Sequence, residues 1–298
     1  MPTPRARRHV RHSTACKMRA LTLLALLLLL TLASLLISLV SGSVAIGWND
    51  LLAVLSGDGD ALATQVIMEL RGPRAVAAFT TGGLLSVAGA LMQVLLRNPL
   101  ADPYVLGISG GAATGALLAL LLGLGGLGLH SAAFCGALLS MLLVFGLSHG
   151  SGNWTTNRLL LTGVVIAAGW GAVIGFLLAL SPEQGLRGML FWLMGDLSHA
   201  SSPASGLLVL VAGLLLAIAS GRSLNIFTQG EQSAAALGIN VLPLRRFIYL
   251  LASLLTATAV TLAGSIGFVG LIVPHLLRLA GVRDHRLLLP AAALLGGS

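Results

Sequence analysis

Apolar runs of membrane-crossing length alternate along this chain with short polar segments. A bilayer core of about 30 Å needs about 20 helical residues. Residues 21–40 form one nearly unbroken apolar run. Further runs predict spans at 75–96, 105–124, 131–147, 159–180, 207–219 and 247–263, and a short eighth at 264–280. A ninth run starts at Leu287, and the chain stops inside it at Ser298. The expected fold is all-α, a polytopic transmembrane helical bundle with about eight complete spans and a partial ninth. Residues 1–20 read as a basic cytoplasmic tail and 21–298 as one transmembrane domain.

Two of these segments are interrupted. Pro99, Pro103, Gly107, Gly110 and Gly111 fall where the third span should enter the membrane, and Gly267, Gly270 and Pro274 break the eighth. Non-helical backbone at membrane depth is tolerated only where protein buries it or where it lines a cavity, and in transporters such breaks often mark the pathway.

Composition agrees with the pattern. Hydrophobic residues make up 56% of the chain and charged residues 9%, against about a quarter charged in soluble domains. The 38 glycines suit close helix packing in lipid. A net charge of +8 would fit nucleic acid, but the charges follow topology instead. Six of the 17 basic residues (Arg5, Arg7, Arg8, Arg11, Lys17 and Arg19) precede the first run, which puts the N-terminus inside. A signal peptide has the same charge order, but this run is long enough to span, so an uncleaved first helix is expected.

Residues 41–70, with Asp50, Asp58, Asp60 and Glu69, then lie outside, closed by Arg71-Gly72-Pro73-Arg74. Those two arginines either anchor the next helix among lipid headgroups or meet an acidic partner. Arg97, Arg158, Arg222 and Arg283 are expected inside. Residues 181–205 return outside, with a short helix opened by Pro182 and Glu183.

Residues 224–246, LNIFTQGEQSAAALGINVLPLRR, stand out as polar. Thr228 and Glu231 have capping-box spacing, the alanines favour helix, and Gly238 is a ready stop. The spacing predicts a nine-residue helix at 229–237, about 13 Å long and therefore outside the membrane. Arg222, Arg245 and Arg246 put it on the cytoplasmic side. It is either an ordinary structured loop or a docking surface.

Candidate chemistry is sparse. A phosphate-binding loop needs a lysine after its glycines, and the single lysine is Lys17, so any ATP is hydrolysed by another chain. Cys16 and Cys135 offer neither a plausible pair nor a metal spacing. Gly107-Ile108-Ser109-Gly110 is compatible with a rhomboid-like intramembrane serine protease, and His149 and Asn153 have a suggestive spacing. A serine needs a base within hydrogen-bond reach, which nothing in the spacing of His130, His149 or His275 supplies. His275, after Pro274, is expected to bond a freed carbonyl. Met92 and Gln93 could touch a pathway or simply pack.

Four stretches together carry a resemblance: RGPRAVAAFTTGGLLSVAGALMQVLLRNPLADPYVLGISGGAATGA, RGMLFWLMGDLS, TQGEQSAAALGIN and GSIGFVGLIVPHLLRLAGVRDHRLLLP. In this order they resemble the FecCD-type permeases of ATP-driven importers for iron-siderophores, haem and cobalamin. The resemblance covers about 71–298. It implies a ten-helix permease in an inner membrane, paired as a dimer. Two ATP-binding subunits using ATP and Mg would sit below it, and a periplasmic binding protein would deliver a metal chelate above. No cofactor is then bound by this chain itself.

The resemblance also suggests roles. Thr228, Gly230, Glu231, Ala234, Ala235, Leu237 and Gly238 would belong to the ATPase-coupling helix. Arg71 and Arg74 would dock the binding protein. Asn98, Pro99, Gly107 and Ser109, with Gly267, Gly270, Pro274 and His275, would lie near the translocation pathway. A tenth helix and a further outer basic contact are expected of the family, so the C-terminus reads as incomplete. Iron-siderophore is the first cargo expected, then cobalamin, then haem. The alternatives from another class are the intramembrane protease and a membrane scaffold without transport.

Overall fold

The computed structural model describes residues 4–148, 155–197 and 203–298, with the side chain of Met18 and those from Ala20 onward. It is all-α among these residues. Helix α1 (Pro4–Val40) contains the first apolar run and stops at Ser41-Gly42-Ser43. Helix α2 (Trp48–Ser56) lies beyond it. Asp50 reaches back to the Gly47 N–H at 2.8 Å, and Gly57 ends the helix in the left-handed region at φ 90.

The second span departs from the expected start at 75. Helix α3 (Ala61–Gln65), a π-helical turn at Val66–Arg71 and helix α4 (Gly72–Leu95) run on as one helix over Ala61–Leu95. Pro73 explains the π turn. It has no N–H to bond four residues back, and the Gly72 N–H instead reaches Ile67 O, five residues back. Arg71 to Arg74 therefore sit inside a helix rather than closing a loop.

A 3₁₀ turn at Pro103–Leu106 precedes α5 (Ile108–Leu121). Helices α6 (Leu127–Ser148), α7 (Thr156–Leu180) and α8 (Glu183–Met194) follow. Helix α8 is the expected short outer helix. Helix α9 (Pro203–Ala219) bends by 61° into α10 (Gly221–Phe227), a helix the apolar pattern did not predict. Then come α11 (Glu231–Ala236), α12 (Val241–Ala263), α13 (Val269–Leu279) and α14 (His285–Gly297).

Among the described residues five helices are long and apolar enough to cross a membrane, or six if α9 and α10 form one bent span. The apolar helices α5 and α13 are shorter, and each is preceded by irregular chain that carries the expected prolines or glycines.

Helix α4 is the centre, packed by α9, α12, α13 and α14. Its small residues make this possible. A Cβ on Gly82 would lie 1.9 Å from Gly296 O, and one on Gly89 1.8 Å from Gly270 O. Backbones this close gain dispersion and weak C–H···O contacts, which drive helix association in lipid where burial of apolar surface gains little.

Candidate functional site

The short helix expected at 229–237 exists, but it is built differently from the expectation. Helix α11 has six residues rather than nine, and the Thr228–Glu231 capping box does not form. The Thr228 hydroxyl donates to Asn225 O at 2.7 Å and so closes α10. The Glu231 carboxylate is taken by two guanidiniums, Arg245 on α12 and Arg97 beyond the end of α4, the latter at 3.4 Å. Charge-assisted bonds of this kind outweigh a neutral cap. Gly230, at φ 117, turns the chain into the helix.

The stop behaves as predicted. Gly238 is left-handed at φ 80, its N–H bonds Ala235 O, and the Ile239 N–H bonds Ala234 O, both at 3.0 Å. Ala234 is fully buried against the bundle, while Ala235 and Leu237 face outward, Leu237 being 65% exposed.

Arg97 is conformationally unusual. It terminates α4 at φ 49, with its N–H on Val94 O and the Asn98 N–H on Gln93 O, each at 3.2 Å. Glycine is the inexpensive choice at such a position, and left-handed backbone costs other residues about 1–2 kcal/mol.

A second junction ties α10 to the start of α14. The Asn225 amide donates to Asp284 Oδ1 at 2.7 Å, and its oxygen accepts from the His285 backbone N–H at 2.9 Å and from His285 Nδ1 at 2.6 Å. His285 precedes the apolar run from Leu287. Burial, helped by the nearby Arg278 charge and opposed by Asp284, pushes its pKa down to about 4, so the ring is neutral. Partial burial would raise the Asp284 carboxyl, but the Asn225 amide, the Arg286 N–H and the Arg286 charge outweigh it and hold the group below the usual range.

The pathway candidates fall at different depths. Asn98 and Pro99 are exposed in the inner turn, where Asn98 Oδ1 accepts from the Leu100 N–H at 2.9 Å. Gly107, at φ 70, is buried against Ala167 of α7. Its carbonyl accepts from Ser140 Oγ at 2.8 Å, and the Trp170 indole donates to that same oxygen at 3.0 Å. Gly107 is thus a pinned corner. Gly270 is a packing contact against Gly89, Leu85 and Pro103. Gly267 is open, beside Phe268, which is 69% exposed at φ 68. Pro274 is buried, and His275 Nδ1 is buried with no hydrogen-bond partner, so the expected bond to a freed carbonyl is not made.

Ser109 is half-buried and bonds no histidine among the described residues; His149 and Asn153 lie outside them. His130 contacts Thr261 O at 2.9 Å on the outer side. Among the described residues no group of three His, Cys, Asp or Glu side chains could hold a metal.

The FecCD transport family matches residues 28–298. The chain belongs to the FecCD transport family. An uncharacterized ABC transporter permease protein, YvrB of Bacillus subtilis, is 42% identical over 250 residues, covering 80% of this chain and 70% of that protein. The cobalamin import system permease protein BtuC of Halobacterium salinarum is 40% identical over 239 residues, covering 79% of this chain but only 64% of its own length. A solved metal-chelate type ABC transporter in an inward-facing conformation superposes with a TM-score of 0.80 at 31% identity, over 92% of this chain and 85% of that one.

In this FecCD chain the two outer arginines differ. The Arg71 guanidinium donates to Leu39 O and Val40 O at 2.8 Å and to Val44 O at 2.6 Å, capping the end of α1. Gly42 leaves it room, since a Cβ there would lie 2.5 Å from Nη2. Arg74 is exposed and, among the described residues, reaches only Asp196, at 4.0 Å. Both line an outer cavity of about 410 Å³, with Ser38, Ser41 and Ser43. The sequence reading missed the Arg97–Glu231–Arg245 cluster and the Asn225 junction, because their partners are as many as 134 residues apart. Only the odd arginine at the end of a span hinted at either.

Proposed function

We propose that this chain is the membrane permease subunit of an ATP-binding-cassette importer that moves a metal chelate from periplasm to cytoplasm, with its N-terminus in the cytoplasm. The observation that carries the reading is α11 in a FecCD chain: a short helix fixed to two spans through Glu231, with Ala235 and Leu237 facing outward. A separate ATP-binding subunit, using ATP and Mg, docks on that face. A periplasmic binding protein delivers cargo at the outer end, where Arg74 offers it a guanidinium. A second copy of the permease completes the pathway within the bilayer.

ATP closes the ATPase pair, moves α11, and changes the side to which the pathway opens. ATP binding must favour one permease state by a differential free energy delivered through this contact. Cobalamin becomes the first cargo, ahead of iron-siderophore and haem, because a relative covering most of this chain is named for its import.

The test is uptake into liposomes carrying the permease, the ATP-binding subunit encoded beside it and the binding protein. ATP-dependent accumulation of cyanocobalamin is expected, with less ferric siderophore or haem. Accumulation of none of the three would reject the importer reading.

A further inference from the structure

Gln93 lies one helical turn before Arg97, near the inner end of α4, and is almost fully buried. Both ends of its amide are occupied. Oε1 accepts from the Arg278 guanidinium, and Nε2 donates to Leu271 O at 3.1 Å. Both partners belong to α13 and lie on either side of Pro274. Pro274 has no N–H for the Gly270 carbonyl, so the backbone ladder of α13 lacks one bond between the two residues that Gln93 contacts. Gly270 also touches Gly89 of α4, so α13 is held to α4 by a polar pin and a close backbone contact.

The same residue closes the end of α4. The Gln93 carbonyl accepts from the Asn98 N–H, in the turn that holds Arg97 left-handed. That turn aims Arg97 at Glu231 of α11. An arginine kept where glycine fits without strain is an independent sign that its side chain is used, since strained backbone persists where the surroundings require it.

We infer that Arg97 and Gln93 are positioning residues that join helix α11 to the proline-bearing helix α13. Displacement of α11 pulls on Glu231 and Arg97, turns the end of α4, and reaches α13 through Gln93 on both sides of Pro274. The Gln93 amide either bonds α13 or releases it, which supplies two discrete arrangements. Spatial sequence alone would not establish such a relay; a coupling measurement does. The inference rests on the importer reading, and on α11 as its docking helix.

The experiment uses the full permease with its ATP-binding subunit and binding protein in liposomes, with cyanocobalamin as the probe. Arg97→Gly and Gln93→Leu are compared singly and together for ATPase co-purification, thermal midpoint and cobalamin moved per ATP hydrolysed. Arg97→Gly keeps the turn and should hold or raise the midpoint and retain the ATPase. Cobalamin per ATP should nevertheless fall at least about fivefold, the lower end of typical coupling factors. The double variant should be no worse than the more severe single, because the two act in series.

Unchanged cobalamin per ATP in Arg97→Gly would overturn the relay, whether or not Gln93→Leu folds. So would multiplying losses in the double variant, or loss of the ATPase from Arg97→Gly, which would make Arg97 part of the docking surface. If the unaltered complex moves cobalamin and Arg97→Gly does not uncouple it, only the relay fails. If the unaltered complex moves none, the importer reading fails and takes the relay with it.

Discussion

At its outer end the long central helix carries Arg71 and Arg74, and just beyond its inner end it carries Arg97. Outside, Arg71 spends three donors on the carbonyls that end α1, and Arg74 projects from the surface with one distant carboxylate. Inside, Arg97 meets a carboxylate that a second guanidinium also holds, and this ties α4, α11 and α12 together. The outer arginines are one brace and one projecting charge. The inner one belongs to a network in which no element moves alone. In the proposed importer, a surface that releases its partner each cycle needs the first arrangement, and one that transmits displacement needs the second.

The largest effect on transport is expected at α11. Ala235→Trp puts a bulky ring on the outward face while Ala234, on the inward face, stays packed. ATPase co-purification or uptake should fall at least about tenfold, a loss of about 1.4 kcal/mol or more of coupling, with insertion unaffected. Normal uptake and normal ATPase recovery by this variant would remove α11 as the coupling surface.

Next comes pH, which should separate the inner end from the outer. His285 is neutral when folded, with a pKa of about 4, whereas in the unfolded chain it titrates near 6.5. Between these values the unfolded state binds more protons. Stability from this group is therefore fully present above about pH 6.5, declines as pH falls towards 4, and is flat below. The full span is on the order of 3 kcal/mol. Thermal midpoints measured from pH 7.5 to 4 should fall less in His285→Gln, which retains a donor for Asn225 and does not titrate. Equal acid sensitivity in both proteins would show that the junction does not depend on a neutral ring.

The smallest pair contrasts the outer arginines with each other. Arg71→Ala leaves the carbonyls at the end of α1 without their donors and should cost about 2 kcal/mol, since part of that site is wet. Arg74→Ala should cost under about 1 kcal/mol, as exposed ion pairs do, yet weaken binding-protein affinity. Equal stability losses would erase the distinction between brace and projecting charge.

Much of this was legible in the chain because lipid imposes a simple rule. An apolar run of sufficient length becomes a helix, since its backbone has no other way to satisfy its polar groups. Thus 131–147, 159–180 and 247–263 fall within six residues of the observed helices, 21–40 matches only the apolar part of an α1 that begins at Pro4, and Gly238 stopped α11 as its lack of a Cβ predicts. The breaks at 98–111 and 264–275 were legible from proline and glycine. Local pattern misled where a distant partner competed for the same atoms. Glu231 has capping-box spacing, but Arg97 and Arg245 claim its carboxylate. Arg71 and Arg74 look equivalent in sequence, but the end of α1 claims only the first. The all-α class, the positions of the long apolar helices and the stop at Gly238 follow from short-range chemistry in the sequence. Which charge meets which is a long-range choice, made only when α4, α11, α12 and α13 come to share one inner end.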